Sequence, residues 1–474
     1  MAKDYESVVG LEIHAELSTK TKIFCGCSTE FGGEPNTHCC PVCTGMPGTL
    51  PVLNRRVVEY AVRAGLAMNC EIAHFSKLDR KNYFYPDLPK NYQISQYDLP
   101  LCKGGWVRLS SGKKIGITRI HIEEDAGKLT HDPAARRTYV DYNRCGVPLI
   151  EIVSEPDLRT PEETREYVER VRAVLLYAGV SDCRMEQGSL RADVNVSVRP
   201  LGSEKLGTRT EMKNINSLRA IFRAVEGERA RQIEELEAGN AVVQETRRWD
   251  DGRGESRSMR GKEEANDYRY FPEPDIVPVV LTDARIEEIR AQLPEMPEAR
   301  LRRYADAGVS EADAALLTAS RALSDFYDEA AAGNEAQEAA KWIVGELLHD
   351  LKERELEPED IPFPAAGLVG VLRLVKAGRI TASSGKKVLA LLFEEPDETP
   401  EKLVEKHGLA VVGDADALAA AVEKVLAENP GPAEDFRSGK EKALSFLIGQ
   451  AMRALRGKAD PAALRTLLIE RLKR

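Results

Sequence analysis

Acidic and imidazole side chains alternate with apolar ones in residues 9–17 of this chain. Glu12, His14 and Glu16 share one parity, while valine, leucine, isoleucine and alanine occupy the other. Successive side chains of a β-strand point to opposite faces, so this pattern predicts a strand that buries its apolar face and groups its polar residues. Two carboxylates and an imidazole on a rigid strand could bind a divalent cation. The alternative is a strand whose polar face is merely solvated.

Alternating segments that carry acidic residues recur in the first half of the chain. They are residues 115–125, 147–153, 190–199 and 208–214. Several acid-bearing strands in one region predict a sheet that gathers carboxylates into a concave site, with basic residues nearby for phosphate charge. This combination favours metal–nucleotide chemistry over a plain surface.

Two adjacent glutamates end the first of these segments. Glu124 falls on the parity of the neighbouring isoleucines, whereas Glu123 falls on the parity of Arg119 and His121. Since adjacent residues of a strand face opposite sides, only one of the two glutamates can face the site. The pattern alone leaves open which one does.

Five of the nine cysteines fall within residues 25–43. A C-x-C pair followed by a C-x-x-C pair offers four thiolates at spacings that tetrahedral zinc accepts, so we predict a structural zinc site. Its predicted ligands are Cys25, Cys27, Cys40 and Cys43. Cys39 is then the spare cysteine, and His38 could replace one thiolate. The alternatives are a disulfide, which a reducing compartment disfavours, and a C-x-x-C redox couple.

Length and composition are those of a globular protein with several domains. The chain has 474 residues, of which 42% are hydrophobic and 30% charged, and this length predicts about three domains. No apolar run approaches the roughly 18 residues of a membrane span. The N-terminal residues also lack the apolar core of a signal peptide. We therefore expect a cytoplasmic protein.

The pattern along the chain divides it into three predicted domains. Residues 1–292 carry the alternating strands, with amphipathic helices expected at 161–178 and 216–238. Residues 293–405 have helical spacing, and residues 406–474 are expected to form a small helical tail. The predicted fold class is α+β, followed by helices.

The charge is unevenly distributed. The whole chain has a net charge of −10, which argues against indiscriminate binding to nucleic acid. Residues 437–474 nevertheless contain ten basic and three acidic residues, a net charge of +7. A basic helical tail on an acidic body predicts contact with an RNA backbone at one end of the protein. The alternative is a solvated face of lysine and arginine residues.

Several familiar catalytic motifs are absent from the sequence. It contains no G-x-x-x-x-G-K-[ST] motif, so any use of ATP is not by a P-loop. It also contains no G-x-S-x-G elbow, no H-E-x-x-H motif and no kinase H-R-D motif. An amide-forming or phosphoryl-transfer enzyme with a carboxylate-lined metal site remains consistent with the sequence.

Ten stretches occur in this order along the chain: VVGLEIHAELST, KIFCGCSTEFGGEPNTHCCPVCTGMPGTLPVLN, KLDRKNYFYPDLPKNYQISQYDLP, HIEEDAGKLTHD, GVPLIEIVSEPD, GSLRADVNVSVRP, EMKNINS, ETRRWD, DYRYFPEPDIVP and the tail DFRSGKEKALSFLIGQAMRALRGKADP. Together they resemble one known family, the B subunits of glutamyl-tRNA(Gln)/aspartyl-tRNA(Asn) amidotransferases (the GatB family). The resemblance covers nearly the full length in the same order.

The resemblance implies an activity that the spacing of the residues alone does not predict. It implies that ATP and Mg²⁺ are used to phosphorylate the side-chain carboxylate of glutamate on tRNA(Gln) or aspartate on tRNA(Asn). Ammonia from a partner amidase then displaces the phosphate to give the amide. The implied partners are the amidase, which is the A subunit of a heterotrimer, its small C subunit, the misacylated tRNA and, as a candidate, the matching non-discriminating synthetase. The implied fold is a catalytic domain like that of glutamine synthetase, with an antiparallel sheet.

The resemblance also implies roles for individual residues. The implied Mg²⁺ ligands are Glu12, His14, Glu124 and Glu151, with Glu123 as the substitute for Glu124. Lys81 is the implied lysine where the ammonia path opens into the site, although it could instead pair with Asp79 or Asp87. The residues implied around the nucleotide or acyl phosphate are Asp193, Asn195, Glu211 and Lys213. The basic residues expected to bind tRNA are Lys440, Lys442, Arg453 and Lys458.

Two functions of other classes remain open at this stage. One is a non-catalytic RNA-binding scaffold, which the acid-bearing strands disfavour. The other is an amide ligase for a small molecule, which would not need the basic tail. The sequence does not decide between Glu-tRNA(Gln) and Asp-tRNA(Asn) as the physiological substrate.

Overall fold

The computed structural model describes residues 4–261, 268–332, 336–411, 415–455, 459 and 461–473. The chain divides into two compact units, Met1–Met296 and Pro297–Arg474. No helix among the described residues is long and apolar enough to span a membrane.

The first unit contains the β-strands. Their bounds are β1 Tyr5–Glu16, β2 Glu71–Ile72, β3 Phe75–Ser76, β4 Asp79–Asn82, β5 Tyr92–Ser95, β6 Cys102–Lys103, β7 Trp106–Arg108, β8 Lys114–Glu124, β9 Lys128–Asp132, β10 Arg137–Asp141, β11 Pro148–Ser154, β12 Leu190–Pro200, β13 Thr210–Lys213, β14 Glu245–Asp250, β15 Glu255–Gly261, β16 Phe271–Pro272 and β17 Val279–Val280. Each of the five alternating segments found in the sequence overlaps one of the strands β1, β8, β11, β12 and β13.

One large sheet organises this unit. Its strand order is β15-β14-β13-β12-β1-β11-β8-β6-β2, and β7 also pairs with β8. Three smaller sheets have the orders β10-β9, β16-β4-β5 and β17-β3. The α+β class is confirmed, but the large sheet is mixed because β13 and β14 are parallel. Parallel neighbours need a crossover connection, and a helix supplies it here.

Four α-helices lie among the described residues of the first unit. Their bounds are α1 Arg55–Ala67, α2 Pro161–Ala178, α3 Leu218–Glu237 and α4 Asp283–Ala291. The prediction for α2 is confirmed at both ends: the Thr160 side chain accepts a hydrogen bond from the Glu163 N–H, and Gly179 ends the helix at φ 66°. Helix α3 is the crossover between β13 and β14, and it lies within the predicted range 216–238.

A buried carboxylate fastens α3 to the sheet. Glu228 is 1% exposed and accepts hydrogen bonds from Thr210 on β13 at 2.7 Å and from Arg231 at 2.6 Å. Gln232 donates a third at 2.8 Å. Although burial disfavours its charge, these donors lower the pKa of Glu228 below its usual value. The network therefore fixes α3 behind the strand that carries Glu211.

The apolar side of β1 lies in the main core of this unit. Leu11 and Ile13 are at most 1% exposed, as are Tyr167 and Val171 of α2 in the same cluster. Burying one such aliphatic side chain contributes roughly 1.5–3 kcal/mol. A register shift of one residue would exchange these apolar residues with Glu12 and His14, so burial fixes which face carries the polar groups.

The second unit is helical in its described residues. Its helices are α5 Pro297–Asp306, α6 Glu311–Leu317, α7 Arg321–Ala331, α8 Ala336–Trp342, α9 Leu348–Glu353, α10 Ala365–Lys376, α11 Ala382–Glu394, α12 Pro400–Lys406, α13 Ala415–Glu428, α14 Pro430–Arg437, α15 Lys442–Ala454 and α16 Pro461–Leu472. Two hydrophobic clusters lie in it, one between Tyr304 and Leu409 and one between Val422 and Leu472. The boundaries 293–405 and 406–474 stay predictions, as does the likeness to glutamine synthetase.

Candidate active site and metal clusters

The register of the large sheet brings the predicted polar residues together. On β1, Glu12 lies opposite Asp193 of β12, and His14 lies opposite Glu151 of β11. Glu151 in turn lies opposite His121 of β8. Four adjacent strands therefore contribute acidic or imidazole groups to one face of the sheet.

The first group, which we call the histidine cluster, consists of His14, Glu123 and Glu151. One ligand atom from each lies within 4.8 Å of the other two. The His14 Nε2 atom is 3.4 Å from Glu151 Oε2 and 3.7 Å from Glu123 Oε1. His121 lies beside the cluster, with its Nε2 atom 3.5 Å from Glu151 Oε2. Two carboxylates and one imidazole can thus converge on one cation.

Charge dominates the chemistry of this cluster. Burial opposes the charged form of His14, but the hydrogen bond and charge of Glu151 and the charge of Glu123 raise its pKa to about 9. Burial also opposes the charge of Glu151, yet His121 and His14 lower the pKa of that carboxyl. The carboxylates and imidazoles of this site therefore stabilise one another in their charged forms.

The second group, the acidic cluster, consists of Glu12, Asp193 and Glu211. Ligand oxygens of the three lie within 4.8 Å of one another. Asn195 donates to Glu12 at 3.1 Å. The Lys213 ammonium lies 2.5 Å from Asp193 and 3.0 Å from Glu211. The structure thus brings together all four residues expected around the nucleotide or acyl phosphate.

Repulsion among the carboxylates is visible at Glu12. Burial raises the pKa of Glu12, and the charges of Glu151, Glu211 and Asp193 raise it further. Burial opposes the charge of Lys213, but its two acidic neighbours raise its pKa. A cation bound among these carboxylates would relieve their repulsion.

Three of the four predicted metal ligands are divided between the two clusters, and the fourth, Glu124, lies in neither. Glu12 belongs to the acidic cluster, whereas His14 and Glu151 belong to the histidine cluster. Residues two apart on a strand are separated by roughly 7 Å, so the two clusters lie side by side along β1. The structure therefore places Glu12 in a different cluster from His14 and Glu151.

The predicted place of Glu124 is also corrected. Both of its carboxylate oxygens accept hydrogen bonds from the Lys90 ammonium, at 2.6 and 2.7 Å, and one accepts from the Ile94 N–H at 2.9 Å. Glu123, the stated substitute, lies beside His14 in the position that was expected for Glu124. The physical reason is the alternation of β8, which turns adjacent side chains to opposite faces.

Lys81 lies on β4 at the edge of the histidine cluster. Its Nζ atom is 5.0 Å from the centroid of the Tyr268 ring. Burial opposes its charge, but Glu123, Tyr270 and Glu151 raise its pKa. Asp79, considered as its ion-pair partner, is instead bonded by Lys77. Lys81 is therefore a cation held against the acidic face.

Four cysteines come together as the sequence predicts. The Sγ atoms of Cys25, Cys27, Cys40 and Cys43 all lie within 4.8 Å of one another. Hydrogen bonding from Cys25, together with the charge of Lys22, lowers the pKa of Cys43 to about 4. Cys39 bonds the Asn36 carbonyl at 3.2 Å. Four converging thiols, one of them readily ionised, are compatible with a structural zinc ion.

The predicted tRNA-binding residues lie in the second unit. Lys442 and Arg453 are exposed on α15. Lys440 is also exposed, and its ammonium lies 2.7 Å from Asp435. Lys458 lies outside the described residues. The exposed Lys442, Phe446 and Arg453 are spaced by four and seven residues, so they share one face of α15.

Comparison with known proteins places this geometry in a family. A family profile described as GatB/GatE catalytic domain matches residues 7–287, and one described as GatB domain matches residues 325–472. A protein from Caldicellulosiruptor bescii is 54% identical over 479 residues, covering 99% of this chain and 100% of its own. One from Ruminiclostridium cellulolyticum is 56% identical over 470 residues, covering 98% and 96% respectively. Both relatives are named as the B subunit of an aspartyl/glutamyl-tRNA(Asn/Gln) amidotransferase. The chain belongs to the GatB family.

All three clusters that could hold a metal ion lie within the part of the chain that the GatB/GatE catalytic domain covers. One residue of this site, His121, was not singled out as a candidate from the sequence. It is 3% exposed, and it lies on the face of β8 opposite to that of its buried neighbours Ile120 and Ile122. Its separation of two residues from Glu123 is the signal that could have indicated it.

Proposed function

We propose that this chain is the ATP-dependent component of a tRNA-dependent amidotransferase. It would phosphorylate the side-chain carboxylate of Glu-tRNA(Gln), Asp-tRNA(Asn) or both. Ammonia from a partner amidase would then convert the activated group to the amide. The observation that carries the proposal is the position of the acidic and histidine clusters side by side on one sheet face, with Lys213 at one and Lys81 at the other. The names of the relatives support the tRNA substrate.

The donor atoms suit divalent cations. The acidic cluster offers only carboxylate oxygens, which Mg²⁺ prefers, and the raised pKa of Glu12 reflects crowding that a cation would relieve. The histidine cluster offers two carboxylates and one imidazole. When bound, Mg²⁺ would offset the charge of the γ-phosphate against that of the substrate carboxylate.

The chain's own cations would complete the reaction centre. Lys213, held between Asp193 and Glu211, would hold phosphate oxygens at the acidic cluster. Lys81 would bind the negative charge that develops on the acyl phosphate, from the side of Glu123. Asn195 would hold the Glu12 carboxylate in place through its hydrogen bond. A carboxylate is a poor acyl donor, and phosphorylation makes it reactive toward ammonia.

The four-cysteine cluster would have a structural role. Four thiolates leave no open position on tetrahedral zinc, so this site would hold residues 25–43 rather than bind substrate. The Lys22 ammonium, 3.7 Å from Cys43 Sγ, would stabilise the thiolate charge.

The basic face of α15 would bind the tRNA backbone away from the reaction centre. Lys442 and Arg453 would contact phosphates, and Phe446, which is 46% exposed, lies between them on the same face. The proposed partners are the amidase (the A subunit), the small C subunit, the misacylated tRNA and, as a candidate, the matching synthetase. The proposed location is cytoplasmic.

The decisive experiment measures ATP cleavage that depends on misacylated tRNA. The full-length chain, assembled with its amidase partner, should cleave ATP with Glu-tRNA(Gln) or Asp-tRNA(Asn) and not with uncharged tRNA. The Glu12→Gln variant should lose this cleavage and amidation, because the acidic cluster loses one of its three charged ligands. Glutaminase activity in the partner should survive in part.

Three results would refute the proposal or part of it. Cleavage of ATP that needs a free amino acid but not tRNA would indicate a small-molecule ligase. Tight tRNA binding without ATP cleavage would indicate an RNA-binding scaffold. Undiminished amidation by Glu12→Gln would remove the acidic cluster from the mechanism.

A further inference from the structure

Four tyrosine rings form a row that the mechanism above does not use. Tyr97 and Tyr270 stack with centroids 4.4 Å apart and ring planes 10° apart. Tyr268 meets Tyr270 edge-on at 6.2 Å, and Tyr83 meets Tyr268 edge-on at 6.1 Å. We call these residues the tyrosine row. Offset stacks and edge-on contacts are the favoured geometries of aromatic pairs, so the row is a well-packed unit.

Backbone hydrogen bonds hold the row in place. The Asn82 N–H donates to the Tyr268 carbonyl at 3.0 Å, and the Asn82 side-chain amide donates to the Arg269 carbonyl at 2.9 Å. The Tyr97 N–H donates to Asp79 at 2.9 Å. Residues distant in sequence are thereby joined to β4, the strand that also carries Lys81.

The row adjoins the histidine cluster through Lys81. The Lys81 ammonium lies over the Tyr268 ring at 5.0 Å, within range of a cation–π contact. Burial raises the pKa of Tyr270 to about 12, and the charges of Glu123 and Glu151 add to this rise while Lys81 opposes it. The inner rings therefore lie within the electrostatic field of the proposed reaction centre.

The outer end of the row is open. Tyr97 is 59% exposed although one face of its ring lies against Tyr270. An exposed ring that ends a parallel stack can be extended by another flat ring. Nucleobases bind to proteins by stacking in this way on tyrosine, and such stacking needs no base-specific hydrogen bond.

We propose that Tyr97, supported by Tyr270, stacks the 3′-terminal adenine of the aminoacyl-tRNA. This inference rests on the proposed function. In an aminoacyl-tRNA only a ribose and an ester-linked amino acid separate the terminal base from the reacting side-chain carboxylate. A site that brings the carboxylate to Lys81 and the histidine cluster must therefore receive the base nearby, and the tyrosine row lies there.

An adenine base could also come from ATP, but the position of the row favours tRNA. The residues expected around the nucleotide, such as Asp193 and Lys213, lie on β12 and β13. The tyrosine row lies beside β4 and β5 of a smaller sheet, and β5 contacts β8. In the large sheet, β8 lies on the opposite side of β1 from β12 and β13. The two adenine-containing substrates would then enter from opposite sides of the face, with the reacting groups meeting between them.

The test measures binding of two uncharged tRNAs to the full-length chain. One tRNA is intact, and the other lacks only its 3′-terminal nucleotide. The wild-type chain should bind the shortened tRNA roughly tenfold more weakly, as expected for loss of one base–aromatic stack. Tyr97→Leu should bind the intact tRNA as weakly as the wild type binds the shortened one. This variant should not distinguish the two tRNAs.

Two variants and one ligand serve as controls. Tyr97→Phe keeps the ring and should behave as wild type. Tyr139→Leu removes a tyrosine of similar exposure, 55%, from β10 and should also discriminate as wild type. The dissociation constant of ATP, measured with the same chains, should not change in Tyr97→Leu.

Three outcomes would overturn the inference. Equal discrimination between the tRNAs by Tyr97→Leu and wild type would show that Tyr97 does not contact the terminal base. Weakened ATP binding with unchanged tRNA discrimination would assign the row to the other adenine. If the only effect of Tyr97→Leu were a loss of assembly with the amidase, the row would be a protein–protein interface. These failures differ from failure of the proposed function, in which the wild-type complex itself cleaves no ATP.

Discussion

Neutralising each of two adjacent glutamates in turn should separate catalysis from stability. Glu123 and Glu124 are 3% and 1% exposed, and they face opposite sides of β8. Glu123 lies with His14 and Glu151, whereas Glu124 binds Lys90. Each residue is changed to glutamine, which keeps the size of the side chain and removes only its charge.

The Glu124→Gln variant should lose stability. The Lys90 side chain is 10% exposed, so neutralising its partner leaves a buried ammonium without its counter-charge. Breaking such a pair costs roughly 3–5 kcal/mol. The glutamine oxygen can still accept from the Ile94 N–H, so we expect a loss of about 3 kcal/mol in the free energy of unfolding, near the lower end.

The Glu123→Gln variant should lose activity instead. It removes one of the three ligands of the histidine cluster, and removing one group that stabilises transition-state charge lowers kcat by roughly 10²–10³. The glutamine can still accept from Ser95, whose hydroxyl lies 3.3 Å from Glu123. His14 also keeps Glu151, 3.4 Å away, as a partner of opposite charge. We therefore expect a smaller loss of stability than in Glu124→Gln.

Urea unfolding and tRNA-dependent ATP cleavage, measured on both variants, test this reasoning. Cleavage by Glu124→Gln should be measured at a temperature where the variant remains folded, and it should stay within about tenfold of wild type. Wild-type cleavage by Glu123→Gln, with loss of cleavage by folded Glu124→Gln, would contradict this assignment of the two residues. That result would return the metal-ligand role to Glu124.

Three further predictions concern zinc, the tail and the support of the sheet. One equivalent of zinc should co-purify with the chain. Cys43→Ser should lose the zinc and destabilise the first unit, whereas the matched variant Cys39→Ser should keep the zinc. Absence of zinc by elemental analysis of the native protein would contradict this prediction. Removing residues 406–474 should raise the KM for aminoacyl-tRNA far more than the KM for ATP. The difference in KM for aminoacyl-tRNA between the full-length and truncated chains should decrease as salt rises. Equal tRNA affinity with and without the tail at low salt would refute this prediction. Glu228→Gln should cost about 3 kcal/mol of unfolding free energy at pH 7 because Arg231 and Arg247 lose their buried partner. The pKa of Glu228 is lower in the folded state than its usual value. Its ionised carboxylate therefore contributes to the free energy of unfolding above the usual carboxyl pKa, and this contribution is lost as the pH falls through the folded-state pKa. Urea unfolding should therefore show the difference between wild type and Glu228→Gln shrinking below about pH 4, and a constant difference would disprove it.

The elements that carry the site could be predicted because each has a strong local signal. The period-two pattern of residues 9–17 places Glu12 and His14 on one face wherever the strand lies, since burying the apolar residues leaves no other register. Helix α2 has a threonine cap, a proline at its first position and a glycine at its end. The cysteine spacing likewise depends on a short segment. In each case the residues that form the pattern lie within one strand, one helix or one short segment.

The parallel pairing of β13 and β14 could not be predicted in this way. It depends on where α3 packs, and hence on the buried bonds of Glu228 to Thr210 and Arg231. The division of the predicted metal ligands between two clusters has the same cause, because it depends on which strands become neighbours of β1. Such choices follow from packing between distant segments rather than from local pattern.

Glu123 and the tyrosine row show where the pattern and the site diverge. Glu124 shares the parity of the buried isoleucines, so alternation assigns it to the apolar side. Lys90, which lies 34 residues earlier, is buried against it there and donates to its carboxylate. Tyr97 and Tyr270 stack although a long stretch of chain separates them, and a hydrogen bond from Asn82 to the Tyr268 carbonyl brings the later segment to β4. Each of these features arises at a contact between segments that the sequence does not place together. Both lie next to Lys81, so the surface where substrate would enter is the part of the site that depends most on tertiary structure.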